Sequence, residues 1–141
     1  MISTARTEWS GGLKDGSGTT TLASGVASFG VNWKARSEGV DATTTPEELL
    51  AAAHASCYSM ALSNGLANSD HPPTAVTTDV RVTFVPGEGI TLIEIAVEAA
   101  VPGIDHETFA AAALDAKANC PVSQALRAVP IELVEATLTS S

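Results

Sequence analysis

Two hydrophobic rhythms organise the chain. Val76, Thr78, Val80, Val82 and Phe84 hold one parity, and Thr77, Asp79, Arg81 and Thr83 the other. Beyond the turn-forming Pro86-Gly87-Glu88-Gly89, Ile93, Ile95 and Val97 alternate with Glu94, Ala96 and Glu98. Successive side chains of a strand point to opposite faces, so this period of two predicts a half-buried β-hairpin. The stretch 49–62 reads otherwise: Leu-Leu-Ala-Ala-Ala-His-Ala-Ser-Cys-Tyr-Ser-Met-Ala-Leu has no charge and apolar residues on nearly every helical face. That pattern predicts a central, buried helix. Thr45 is placed to cap it, Pro46 suits its first turn, and Glu48 completes a Thr-x-x-Glu capping box. Gly65, Asn68 and the pair Pro72-Pro73 are its stop signals.

The remaining elements follow from shorter signals. Residues 5–9 read as a strand, 11–18 as a glycine-rich turn, 19–22 as its hairpin partner and 26–36 as a third strand. The glycines precede no Lys-Ser/Thr pair and open no helix, so they read as a hairpin connection and not a phosphate cradle. Asp105 caps a helix over 106–118, Pro121 opens a short one to about 127, and 130–138 reads as a last strand. The order βββ-α-ββ-αα-β, built on hairpins, predicts an α+β fold.

Composition narrows the function classes. A length of 141 residues suits one domain over 1–141, and 45% hydrophobic against 16% charged residues is globular. Aromatics are only 4%, so Ala, Val, Leu and Ile must build the core. The net charge of −9, with seven scattered Lys and Arg, argues against nucleic acid and anionic membranes as partners. Apolar runs stop well short of the ~20 residues of a membrane span. The first ten residues carry Arg6 and Glu8 where a signal core would be apolar, so a cytoplasmic location is expected. That compartment keeps thiols reduced, which argues against a structural disulfide. Two cysteines are too few for a four-ligand zinc site, and His54, His71 and His106 are not spaced to complete one.

The candidate chemistry lies with these thiols and their neighbours. Cys57, mid-helix and apolar, is either a small core residue or a thiol that needs a nearby positive charge to ionise. Cys120 precedes Pro121 and so sits at the cap of the last short helix, where the dipole favours thiolate. Local sequence alone therefore nominates Cys120 as the attacking thiol. Glu48 is explained by the capping box, whereas Glu47 has no such role. Arg36 ends the third predicted strand and reads by itself as a surface residue. His54, three residues before Cys57, shares its helix face as either a base or a buried, hydrogen-bonded histidine.

Taken together, the segment from Thr45-Pro46-Glu47-Glu48 through His54-Ala55-Ser56-Cys57 to Leu62 closely resembles the first-cysteine helix of the OsmC/Ohr family. Ala118-Asn119-Cys120-Pro121-Val122-Ser123-Gln124-Ala125-Leu126 is similar to its second-cysteine segment. Val101-Pro102-Gly103-Ile104-Asp105 and Ala35-Arg36-Ser37-Glu38-Gly39 look like its osmotically induced branch. The early loop holds Lys14 but no Arg, unlike the organic-hydroperoxide-resistance branch. The resemblance implies an OsmC-like fold, with antiparallel sheets around the central helix. It implies reduction of organic hydroperoxides, and more weakly of hydrogen peroxide, with no metal and no flavin. It casts Cys57 as the peroxidatic residue and Cys120 as the resolving one, against the local preference. Arg36 would activate the thiol and Glu47 would orient Arg36. An external dithiol, for which the family suggests a lipoyl-bearing protein, would reduce the resulting disulfide.

Spacing adds a consequence. Glu47 and Cys57 are separated along one helix by about 15 Å of rise, too far for that carboxylate to orient an arginine touching the thiol. If both serve one site they come from different subunits, which predicts a two-fold, intertwined homodimer with shared sites. Two other readings compete: a cysteine hydrolase using Cys57 with His54, and a non-catalytic redox sensor.

Overall fold

The computed structural model describes residues 1–39 and 43–140. The elements run β1 (Ala5–Ser10), β2 (Ser17–Leu22), β3 (Ser28–Val31), α1 (Trp33–Glu38), α2 (Pro46–Asn68), β4 (Ala75–Val85), β5 (Gly89–Ala100), α3 (His106–Asn119), α4 (Pro121–Ala125) and β6 (Ile131–Ser140).

The alternating stretch forms the predicted hairpin. β4 and β5 pair antiparallel, with Val80 opposite Ile95 and Val82 opposite Ile93, about a turn in which Gly87 and Gly89 take positive φ. β5 buries Ile93, Ile95, Val97 and Ala99 on one face, the period of two made physical. Its other edge pairs with β6 in parallel, Ile95 beside Leu133. This corrects the expectation of antiparallel sheets. β6 re-enters beside β5 after α3 and α4 have crossed the sheet, and such a crossover is what parallel pairing requires. The sheet order is β4-β5-β6.

α2 packs on β4, α3 and α4, tied at the sheet by Ser59 Oγ to Thr78 Oγ1 at 2.7 Å. It buries one stripe, His54, Tyr58, Leu62 and Leu66, spaced every fourth residue. Tyr58 Oη donates to the Ala113 carbonyl at 2.9 Å, satisfying its only polar atom inside the core. The opposite face holds Ala53, Ser56 and Met60, and Met60 is 67% exposed. Within one chain, then, the apolar helix is not buried all round. Thr45 Oγ1 accepts from Glu48 N–H as predicted, but the Glu48 carboxylate takes the Thr44 hydroxyl, so half of the box forms. The helix runs through Gly65 and ends at Asn68.

The first sheet, ordered β1-β2-β3, departs from expectation after Val31. The third strand is four residues long, and 33–38 is helix, so Arg36 is helical where a strand end was predicted. Asn32 explains the switch: its Oδ1 accepts from Ala35 N–H at 2.8 Å, a strong N-cap, and Gly39 closes the helix with φ 69°. In this sheet only Thr20 is buried, and β1 is exposed throughout. The chain exposes 8609 Å², about a quarter more than the roughly 6,800 Å² of a compact monomer of 14.3 kDa. Among the described residues, no helix is long and apolar enough to cross a membrane.

Candidate active site

The two cysteines, far apart along the chain, meet in the core. Cys57 comes from the middle of α2 and is partly exposed; Cys120, between α3 and α4, is fully buried. Both thiols are free. What brings Cys120 there is local: its N–H donates to the Ala116 carbonyl at 2.9 Å to end α3, and Pro121 starts α4 at once.

Their electrostatics diverge. Burial pushes the Cys57 thiol up, the contact with Cys120 adds to this, and the Val122 N–H offsets it only in part. Burial opposes ionisation of Cys120 too. There the Ser123 N–H, the Cys57 thiol, the Ser123 hydroxyl and the Val122 N–H together outweigh it, and the thiol falls below its ordinary range. Within one chain Cys120 is the more acidic thiol, in agreement with its local sequence.

Ser123 was not singled out from the sequence. It is buried, and its Oγ lies 2.7 Å from His54 Nε2, which is fully buried. His54 Nε2 is thus turned to α4, Nδ1 has no partner, and neither nitrogen makes the hydrogen bond to the Cys57 sulfur that a Cys57–His54 hydrolase needs. Burial holds the imidazole pKa below its usual value.

Arg36 and Glu47 form the second cluster. Arg36 donates from Nε and Nη2 to Glu47 Oε1, at 2.9 and 2.7 Å. Glu47 is 6% exposed while the Arg36 side chain is 33% exposed. The guanidinium also lies over Phe84, Cζ 4.3 Å from the ring centroid, and the edge of Trp33 meets the same ring at 6.1 Å. Phe84, read from the sequence only as a strand residue, is therefore the platform that fixes Arg36. Beside this cluster opens a cleft of about 350 Å³ lined by Trp9, Leu13, Val31, Trp33 and Leu49 with Arg36. Arg36 and Glu47 are brought together as expected, and so are Cys57 and Cys120, but the two pairs occupy different parts of α2, about 15 Å apart along its axis.

Residues 38–134 match the sequence model of the OsmC-like protein family. The chain is 47% identical over 126 residues to Peroxiredoxin OsmC of Escherichia coli K12, covering 85% of this chain and 86% of that one. It belongs to the OsmC-like family. Solved structures carry the same fold. The OsmC-like protein of Mycoplasma pneumoniae superposes with a TM-score of 0.73 at 13% identity, over 99% of both chains. The organic hydroperoxide resistance protein OhrB of Bacillus subtilis superposes with a TM-score of 0.63 at 25% identity, over 94% of this chain and 97% of that one. The stretch matched by the family model holds Glu47, Cys57 and Cys120, and Arg36 lies just before it.

Proposed function

We propose that this OsmC-family protein is a cysteine-based peroxidase that reduces organic hydroperoxides, and hydrogen peroxide more slowly, with Cys57 attacking and Cys120 resolving. The observation that carries this reading is the meeting of two unbridged thiols in the core, one partly open and one buried. Access sets their order, because a peroxide from solvent meets Cys57 first. Acidity within one chain favours Cys120 instead, so Cys57 needs an added cation. An opposite charge within about 4–6 Å favours the ionised form by one to three powers of ten. Arg36 of the partner subunit is that cation in our reading, held by Glu47 of its own chain, in a homodimer with shared sites. The excess surface, the open face of α2 and the exposed first sheet support such a dimer.

In the first step the Cys57 thiolate attacks the distal peroxide oxygen. The O–O bond breaks, the alcohol leaves with a proton, and Cys57 becomes a sulfenic acid. Cys120 then attacks that sulfur, forming the disulfide and releasing water. An external dithiol, of which a lipoyl-bearing protein is one chemical form, restores both thiols by exchange and leaves as its own disulfide. The apolar cleft beside Arg36 supports an alkyl-bearing substrate, as does the name of the organic hydroperoxide resistance protein of Bacillus subtilis. We assign the whole chain 1–141 to one such domain, acting in the cytoplasm.

The test is dithiol-dependent consumption of an alkyl hydroperoxide against hydrogen peroxide, with Cys57→Ser and Cys120→Ser as controls. Faster turnover of the alkyl substrate and no turnover by Cys57→Ser are expected. Full activity in Cys57→Ser would sink the reading. A disulfide that forms with peroxide but never turns over with dithiol would make the protein a sensor instead.

A further inference from the structure

Cys57 stands on the shoulder of α2. At 3.6 residues per turn it lies about 40° around the helix from Ala53 and about 60° the other way from His54. Ala53 and, further along the same side, Met60 are exposed, whereas His54 is fully buried. Cys57 itself is partly exposed, and it packs against the core cluster that holds Cys120. Cys120 is 0% exposed, in that cluster with Tyr58, Phe109, Ala113 and Ala116. Two hydrogen bonds hold the helices around it together. Tyr58 Oη donates to the Ala113 carbonyl at 2.9 Å, joining α2 to α3, and His54 Nε2 lies 2.7 Å from Ser123 Oγ, joining α2 to α4. Among the described residues the second is the only side-chain hydrogen bond from α4 to another element, and both of its residues are buried. Lifting α4 away to bare Cys120 would strand both of these polar groups.

A thiolate attacks one sulfur of a disulfide from the side opposite the sulfur that leaves, so the line of the S–S bond and access along it choose the target. With one sulfur in the core and the other on the helix shoulder, that line runs outward past Cys57 toward the open face of α2. An attacker aimed at Cys120 would have to come through the core. Resting on the peroxidase reading, we propose that the external dithiol attacks Cys57 and not Cys120, so that the mixed disulfide forms on Cys57 and Cys120 is the internal leaving group. The reductant's first thiolate bonds to the Cys57 sulfur as the Cys57–Cys120 bond breaks, and Cys120 leaves as a thiolate that takes up a proton. The reductant's second thiol, deprotonated, then attacks the reductant's own sulfur in the mixed disulfide. That closes the reductant's disulfide and releases Cys57 as a thiolate, two electrons and two protons having passed from the dithiol to the protein. Peroxide and reductant use one opening in turn, and Cys120 completes the cycle without meeting solvent.

The experiment starts from the full chain oxidised to its Cys57–Cys120 disulfide by diamide, an oxidant that is not a peroxide. Mercaptoethanol is added, the earliest time points are quenched in acid, freed thiols are capped with a maleimide in denaturant, and the peptides are mapped by mass. Mercaptoethanol is expected on Cys57 and maleimide on Cys120, with the reverse pattern at about a hundredth of that level or less, because attack on Cys120 must wait for local opening. Single-cysteine variants give a second measure. The Cys120 thiol of Cys57→Ser should react with a dipyridyl disulfide at least about a hundredfold more slowly in the folded chain than in denaturant. The Cys57 thiol of Cys120→Ser should stay within about tenfold of its rate in denaturant. Mercaptoethanol on Cys120 in equal or greater amount, or a Cys120 thiol that reacts as fast folded as unfolded, overturns the inference and leaves the peroxidase reading intact. A chain that diamide bridges but an alkyl hydroperoxide does not overturns the peroxidase reading instead, and a chain that neither oxidant bridges overturns both.

Discussion

The two clusters along α2 are built on opposite principles. Around Cys57 and Cys120, three helices converge, Cys120 and His54 are fully buried, and the polar atoms are arranged by core packing. Around Arg36 and Glu47, a short helix on the rim supplies the cation, the first turn of α2 supplies the carboxylate, and a third of the Arg36 side chain remains open. The first cluster brings its members together within one chain. The second holds a charge in a fixed orientation against Phe84 with no thiol in its own chain to act on. A guanidinium held by Glu47 and Phe84, with a third of its side chain open, is shaped to meet something that the chain does not itself bring. That contrast is why we place the finished site between subunits.

The comparison breaks most sharply at Arg36. Arg36→Ala is expected to lower kcat/KM about a hundredfold or more, as removal of a key charge-stabilising donor does. Mixing that variant with Cys57→Ser should restore about a quarter of wild-type activity, since half of the dimers are mixed and each holds one intact site. No recovery after verified subunit exchange would place the cation and the thiol within one chain. Glu47→Gln sharpens the same point with a smaller effect. About tenfold in kcat/KM should be lost as Arg36 is freed. Solvent screening on the arginine side limits the stability loss to about 1–2 kcal/mol by urea unfolding, below the figure for a fully buried pair. Phe84→Leu removes the ring under Arg36 and should cost about 0.5–1 kcal/mol, visible as a fewfold rise in KM for the alkyl substrate.

The smallest effect belongs to the thiol cluster and to acid. Burial lowers the folded-state pKa of His54, so below about 6.5 the unfolded chain binds the extra proton. Its contribution to stability is whole above that pH and declines as pH falls toward the folded value. Denaturation midpoints measured across this window should slope downward on acidification, and His54→Gln should flatten the slope. An equal slope in that variant would show that His54 is not held neutral by its surroundings.

Much of this was legible in the residues. Thr45-Pro46 and Asp105 mark helix starts because a side-chain oxygen two or three residues before a free N–H is enough to cap it. The β4–β5 alternation is equally local. Asn32 carried the same kind of signal, but Phe29, Val31 and Trp33 continue the strand rhythm across it, and the helix that presents Arg36 was read as β structure. Ser123 and Phe84 escaped because each acts on a partner distant in sequence, His54 and Arg36 respectively.

Backbone preference, capping and face periodicity depend on a few neighbouring residues, so the sequence alone determined the helices around both thiols and the β4–β5 hairpin. Where β6 re-enters the sheet, which way His54 turns, and how Arg36 settles between Glu47 and Phe84 depend on burial shared among remote segments, and only the tertiary structure decided them. The reason is one of range: a cap is complete within a turn of helix, whereas a buried charge or hydroxyl takes whichever partner the packed core leaves beside it.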